Sequence, residues 1–132
     1  MKGHAPLKFA AVAAVALIAT GAVNAQAQGA GDAAHGKMIF QEQCGLCHAV
    51  SATADPGAGP SLFGVIGHKS GTNDAKYAYT DAMKKADLTW DDANIVKLLT
   101  DPNKLVPGTS MPISLPSDKD REDMFAYLST LK

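Results

Sequence analysis

Apolar residues recur at helical spacing in the part of this chain that follows residue 30. Met124, Phe125, Tyr127, Leu128 and Leu131 fall at i, i+1, i+3, i+4 and i+7, which gives a helix over 118–131 one broad apolar face. Ser117 can cap it, Asp118, Asp120, Glu122 and Asp123 suit its N-terminal dipole, and Lys132 suits its end. Ile95, Val96, Leu98 and Leu99 give residues 91–100 a second apolar side. Thr89 reads as the cap there, Asp91 and Asp92 fill the first turn, and Pro102 closes the helix. A third helix starts at Asp32 and runs to about Gln43, with Gly36 and Phe40 four apart on one face. The missing side chain at Gly36 lets another helix come close, and the apolar face of the last helix is its expected partner. Thr80 caps a short fourth helix through about Lys85.

The segments between them read as loops. Ala52 to Pro60 is dense in breakers, and Ser61 to Gly67 lacks helical periodicity. No helix persists through Leu105-Val106-Pro107-Gly108-Thr109-Ser110-Met111-Pro112, so Met111 sits on an extended loop. That sets it apart from Met38, Met83 and Met124, which fall in the expected helices and read as packing.

Residues 1–27 are different in kind. Lys2, His4 and Lys8 make a basic start, Phe9 to Thr20 is an uncharged apolar run of 12, and Ala25-Gln26-Ala27 offers a small-x-small cleavage site. The run is too short for a membrane span, which needs about 20 apolar residues. The expected organisation is a secretory signal peptide over 1–27 and one domain over 28–132, the mature chain being exported to the periplasm. Cleavage removes two of the 12 basic residues and none of the 13 acidic ones, leaving 10 against 13 and a formal charge of −3. Such a balance excludes a nucleic-acid binder by bulk charge. The mature chain is also short for a self-sufficient core and has few aromatics.

The candidate chemistry lies in Cys44-Gly45-Leu46-Cys47-His48, which holds both cysteines of the chain. C-x-x-C-H is the attachment signature for c-type haem. Two intervening residues let both sulfurs reach the vinyl groups on one porphyrin edge, and the next residue carries an imidazole beneath the ring. A redox dithiol needs a strand before the motif and a βαβ frame around it, and the flanks show neither. A zinc site needs two further ligands at close spacing, and His4, His35 and His68 are scattered. With haem as the reading, Met111 becomes the candidate thioether ligand opposite His48, and His/Met ligation raises the reduction potential. The Pro60 carbonyl is the natural acceptor for the His48 N–H. Trp90, Tyr77 and Tyr79 are candidate donors to the haem propionates.

CGLCH, GPSLFG, YAYTDAM, the lone Trp, VPGTSMP and REDMFAYL follow one another in the order and nearly the spacing of a class I c-type cytochrome. The chain is similar to the soluble mitochondrial cytochrome c and its bacterial periplasmic relatives over essentially all of residues 30–132. The resemblance implies an all-α fold of three main helices, a short helix and long loops around one covalent haem c. Cys44 and Cys47 are then the thioether anchors, His48 and Met111 the axial iron ligands, and Pro60 the acceptor for the proximal imidazole. Tyr79 and Trp90 contact one propionate, while Thr109 bonds the other and stiffens the Met111 loop.

The implied activity is one-electron carriage, not enzymatic turnover. The implied partners are redox proteins, such as a cytochrome bc complex and a terminal oxidase or photosynthetic reaction centre, met by a monomer. An electron-transfer subunit of a fixed dehydrogenase complex is the alternative, and a haem peroxidase or gas binder is the weaker one. The chain departs from the family at His68, where Arg usually guards the inner propionate and where a pH-dependent potential is expected. It departs also at Met83 for Asn, Leu98 for Tyr and Ser110 for Lys, and its lysine ring is thin.

Overall fold

The computed structural model describes residues 31–132 and Gly3. The expected signal peptide, Gly3 apart, and the start of the expected domain at 28 lie outside the described residues. Among the described residues five α-helices and a π turn form: α1 Ala33–Ile39, the π turn Phe40–Cys44, α2 Asp81–Lys85, α3 Asp92–Thr100, α4 Pro102–Leu105 and α5 Asp118–Leu128. No strand forms among the described residues; a single bridge joins Lys69 and Thr89. The architecture is all-α.

Local chemistry sets the starts of these helices. The Asp32 carboxylate accepts the Ala34 and His35 N–H groups at 2.9 and 3.1 Å, Thr80 caps α2 through Met83 N–H at 3.1 Å, and Ser117 caps α5 through Asp120 N–H at 3.3 Å. Two boundaries differ from the expectation. The cap of α3 is Asp91, whose carboxylate accepts Asn94 N–H at 2.9 Å, because Thr89 is drawn into its bridge with Lys69. Pro102 does not end the helical region. It takes the first position of α4, where its missing N–H costs nothing, with Asp101 as cap.

The first and last helices clasp each other. A Cβ on Gly36 would overlap the Asp123 carbonyl and lie 2.9 Å from the Tyr127 Cβ, so only glycine permits this approach. Phe40 then packs on Tyr127, with ring centroids 5.6 Å apart. Asp123 departs from the expectation of a solvated charge. It is fully buried in this crossing, where its carboxylate takes the Asp32 N–H at 2.6 Å, the His35 imidazole Nδ1 at 2.7 Å and the Lys119 ammonium at 2.7 Å. These donors outweigh the cost of burial and hold Asp123 well below the usual carboxylate range, at about 2. Met38, expected as packing, points to solvent and is 55% exposed.

The core continues through Ile95, Leu98 and Leu99 of α3, with Val65, Trp90, Val106 and Leu115 supplied by the loops. No helix of the described residues is long and apolar enough to cross a membrane.

Candidate functional site

The expected first helix runs past α1, but its last turn widens. Gly45 N–H donates to the Phe40 carbonyl five residues back, at 2.7 Å. The Cys44 carbonyl then accepts Cys47 N–H at 3.0 Å and His48 N–H at 2.9 Å, so the chain keeps coiling through the motif. Cys44, Cys47 and His48 are thereby brought to one wall of a cavity of about 320 Å3.

His48 is held from two sides. Its Nδ1 donates to the Pro60 carbonyl at 2.8 Å. Behind it lies Gly59, where a Cβ would stand 2.7 Å from Nδ1 and 2.9 Å from Nε2, inside contact distance of the ring. Burial pushes the imidazole below its ordinary pKa, against the upward pull of the Pro60 bond. The ring is therefore neutral near pH 7. With Nδ1 occupied, the lone pair lies on Nε2, the nitrogen left to meet a metal.

The thiols tell against a redox dithiol. Both cysteines are unpaired, and burial, with Cys47 adding, pushes the Cys44 thiol up to about 11. Reactive dithiols need the opposite shift.

The other expected site residues meet on the same cavity: Pro60, Tyr79, Trp90, Thr109 and Met111 all line it. Met111 is half-buried, and its N–H donates to Thr109 Oγ1 at 3.3 Å, which ties the thioether's backbone to its own loop. The Tyr79 hydroxyl accepts Asp74 N–H at 3.0 Å, so its proton stays available to an acceptor in the cavity. Trp90 is buried, and its backbone N–H donates to the His68 carbonyl at 2.9 Å.

Three expectations change here. Tyr77 lines the cavity, but its hydroxyl donates to the Ala58 carbonyl at 3.0 Å and so braces the loop behind His48. The His68 side chain is exposed and does not line the cavity, while its carbonyl accepts the Trp90 N–H. Met83 and Met124 are more than packing within their helices, because both face the cavity, as does Leu98. Their spacing in the sequence marked a buried side without saying that a hollow lay beyond it.

These residues fit a covalently held haem: two free thiols and an aimed imidazole on one cavity, a thioether on the same walls, and mostly apolar surroundings. The cytochrome c family model matches residues 33–132. A cytochrome c2 of Rhodomicrobium vannielii is 44% identical over 108 residues, covering 81% of this chain and 85% of the relative. A cytochrome c of Tetrahymena pyriformis is 45% identical over 102 residues, covering 76% and 90%. Among solved structures, cytochrome cH from Methylobacterium extorquens superposes with a TM-score of 0.70 at 44% identity, covering 76% of this chain and 99% of that one. With its all-α fold in agreement with these matches, the chain belongs to the cytochrome c family, as a class I c-type cytochrome.

Proposed function

We propose that this chain is a one-electron carrier whose haem c is held by thioether bonds to Cys44 and Cys47 and ligated by His48 and Met111. The supporting observation is the pairing on one apolar cavity of an imidazole whose Nδ1 is already committed to Pro60 and a thioether on a tethered loop. Bound there, the haem supplies an iron that takes up and returns one electron.

The chain's own residues do the rest. The Pro60 carbonyl fixes the His48 ring plane and strengthens the imidazole as a donor. The Met111 sulfur, a soft ligand, favours the reduced metal and raises the potential. With His48 and Met111 both as ligands, the iron would have no place left for peroxide or a gas, which supports a carrier over an enzyme. Tyr79 and Trp90 offer protons to the propionate edge, and Thr109 stiffens the Met111 loop. Leu98, Leu99, Met124 and Leu128 keep water from the buried face.

Export follows from the basic, apolar and small-x-small leader over 1–27, with the mature domain 28–132 acting in the periplasm. Its partners are then redox complexes met one after another, a cytochrome bc complex on one side and a terminal oxidase or photosynthetic reaction centre on the other. A redox titration of the exported protein, followed optically, tests the reading. A single reversible one-electron transition is expected, with a Met–iron charge-transfer band in the oxidised form. A colourless product, or iron still carrying solvent, overturns it.

A further inference from the structure

The hydrogen bond to His48 does not stop at Pro60. The Pro60 carbonyl and the Ser61 N–H are two ends of one peptide group. The carbonyl accepts His48 Nδ1–H at 2.8 Å, and the N–H donates to Asp74 Oδ2 at 2.8 Å. A carboxylate thus faces the imidazole across a single peptide bond. We propose that Asp74 is a positioning and tuning residue for the proximal ligand, its charge relayed to His48 through the Pro60–Ser61 peptide.

The physics follows from amide resonance. A negative charge at the N–H end favours the form with more charge on the carbonyl oxygen, and hydrogen bonds in such a chain strengthen one another. The Pro60 oxygen then accepts more strongly, and the imidazole gains electron density at Nε2. A more donating imidazole favours the oxidised metal, so Asp74 holds the potential down against the pull of Met111.

The surroundings are built to keep that peptide and that charge in place. The Asn73 side chain donates to the Ser61 carbonyl at 2.9 Å and to the Phe63 carbonyl at 3.2 Å, and the Ser61 hydroxyl donates to the Ser51 carbonyl at 3.2 Å. Asp74 Oδ1 takes the Lys76 N–H at 3.0 Å, while the Lys76 ammonium reaches away to Asp55 at 2.7 Å. Among the described residues no ion pair forms with Asp74; the Lys76 ammonium, paired with Asp55, feels the Asp74 carboxylate only as its smallest influence. Ser61 is buried, which keeps water from competing for its N–H. Asp74 N–H also donates to the Tyr79 hydroxyl at 3.0 Å, so one residue braces both the proximal ligand and the candidate propionate contact.

This inference rests on the haem reading above, and the experiment separates the two. Asp74→Asn keeps an oxygen for Ser61 N–H and removes the charge. Asp92→Asn removes an equal charge from the exposed start of α3 and serves as control. At a fixed ambient potential, Asp74→Asn is expected to raise the reduced-to-oxidised ratio three- to tenfold, about 30–60 mV at 59 mV per decade. In the reduced protein the His48 Nδ1–H resonance should move upfield. Asp92→Asn should change neither, and the Met–iron band should persist in both.

A potential and an Nδ1–H resonance in Asp74→Asn that match the control, with the band retained, overturn the relay and leave the carrier reading standing. Failure of the native protein to show the band overturns the carrier reading itself. Should Asp74→Asn not accumulate, the Ser61 amide of the native protein decides. A downfield, slowly exchanging proton supports the relay, and a solvent-like one overturns it.

Discussion

At the scale of single residues, the site depends on what surrounds His48 as much as on His48 itself. Gly59 is the plainest case, since its Cα hydrogen occupies the only space between the loop backbone and the ring. Gly59→Ala forces either the ring off its Pro60 bond or the 52–60 loop outward. Overpacking of this kind costs about 1–3 kcal/mol. The expected outcome is a red but less stable protein, with a weakened or lost Met–iron band because the imidazole would be turned from the position in which the proposed ligation holds it. Thermal melts beside oxidised-state spectra check this, and a variant with native stability and an unchanged spectrum would contradict it. Pro60 and Met111 were readable in the sequence because Pro and Gly leave their loops few conformations. Tyr77 was not, because a hydroxyl has no preference between a propionate and the Ala58 carbonyl until the loop path is known.

At the scale of elements, the crossing of α1 and α5 joins the two ends of the domain, and Asp123 lies at its centre. Its folded-state pKa of about 2 lies below the ordinary carboxylate value. A depressed carboxylate stabilises the fold above its unfolded pKa and loses that contribution as pH falls through the folded one. The protein should therefore lose stability between about pH 4 and pH 2. Asp123→Asn keeps the shape but not the charge that the His35, Lys119 and Asp32 donors meet, and should cost about 2 kcal/mol at pH 7. Its stability curve should converge with that of the native protein near pH 2. Denaturant melts at the two pH values test this, and parallel curves would remove Asp123 from the account. The helices themselves were legible from apolar spacing and capping residues. The burial of Asp123 was not, because an acid in the first turns of a helix usually faces water, and only the close approach at Gly36 turns this one inward. The π turn was illegible for another reason: it is a choice of hydrogen-bond partner that leaves the apolar pattern unchanged. The Asp101-Pro102 pair did carry a signal, a cap followed by a first-turn proline, but proline read as a stop hides it.

At the scale of the whole molecule, the elements of the clasp and α3 all end on the same hollow: Cys44 from the π turn, Ile95, Leu98 and Leu99 from α3, and Met124 and Leu128 from α5. A haem held there would complete the core of a chain too short to fill it alone, and the proposed anchors at Cys44 and Cys47 would suit a carrier that must not lose it between partners. The outer surface has a different logic. Beyond residue 27 the chain carries 13 acidic side chains and 10 of its 12 basic ones. Three of the lysines are spent at home, Lys69 on Asp87, Lys76 on Asp55 and Lys119 on Asp123. Long-range steering grows with net charge of one sign and falls steeply with salt, and the two signs here nearly cancel, to a formal −3. Lys37, Lys84, Lys85, Lys97, Lys104 and Lys132 remain as scattered charges, not a ring. The rate of electron exchange with an acidic partner protein should accordingly change by less than about threefold between 20 and 200 mM salt, where a strongly basic carrier loses tenfold or more. Stopped-flow kinetics over that range measures it. A steep salt dependence would mean that the unpaired lysines act together, and charge removal at Lys84 and Lys85 would then show the same loss at low salt.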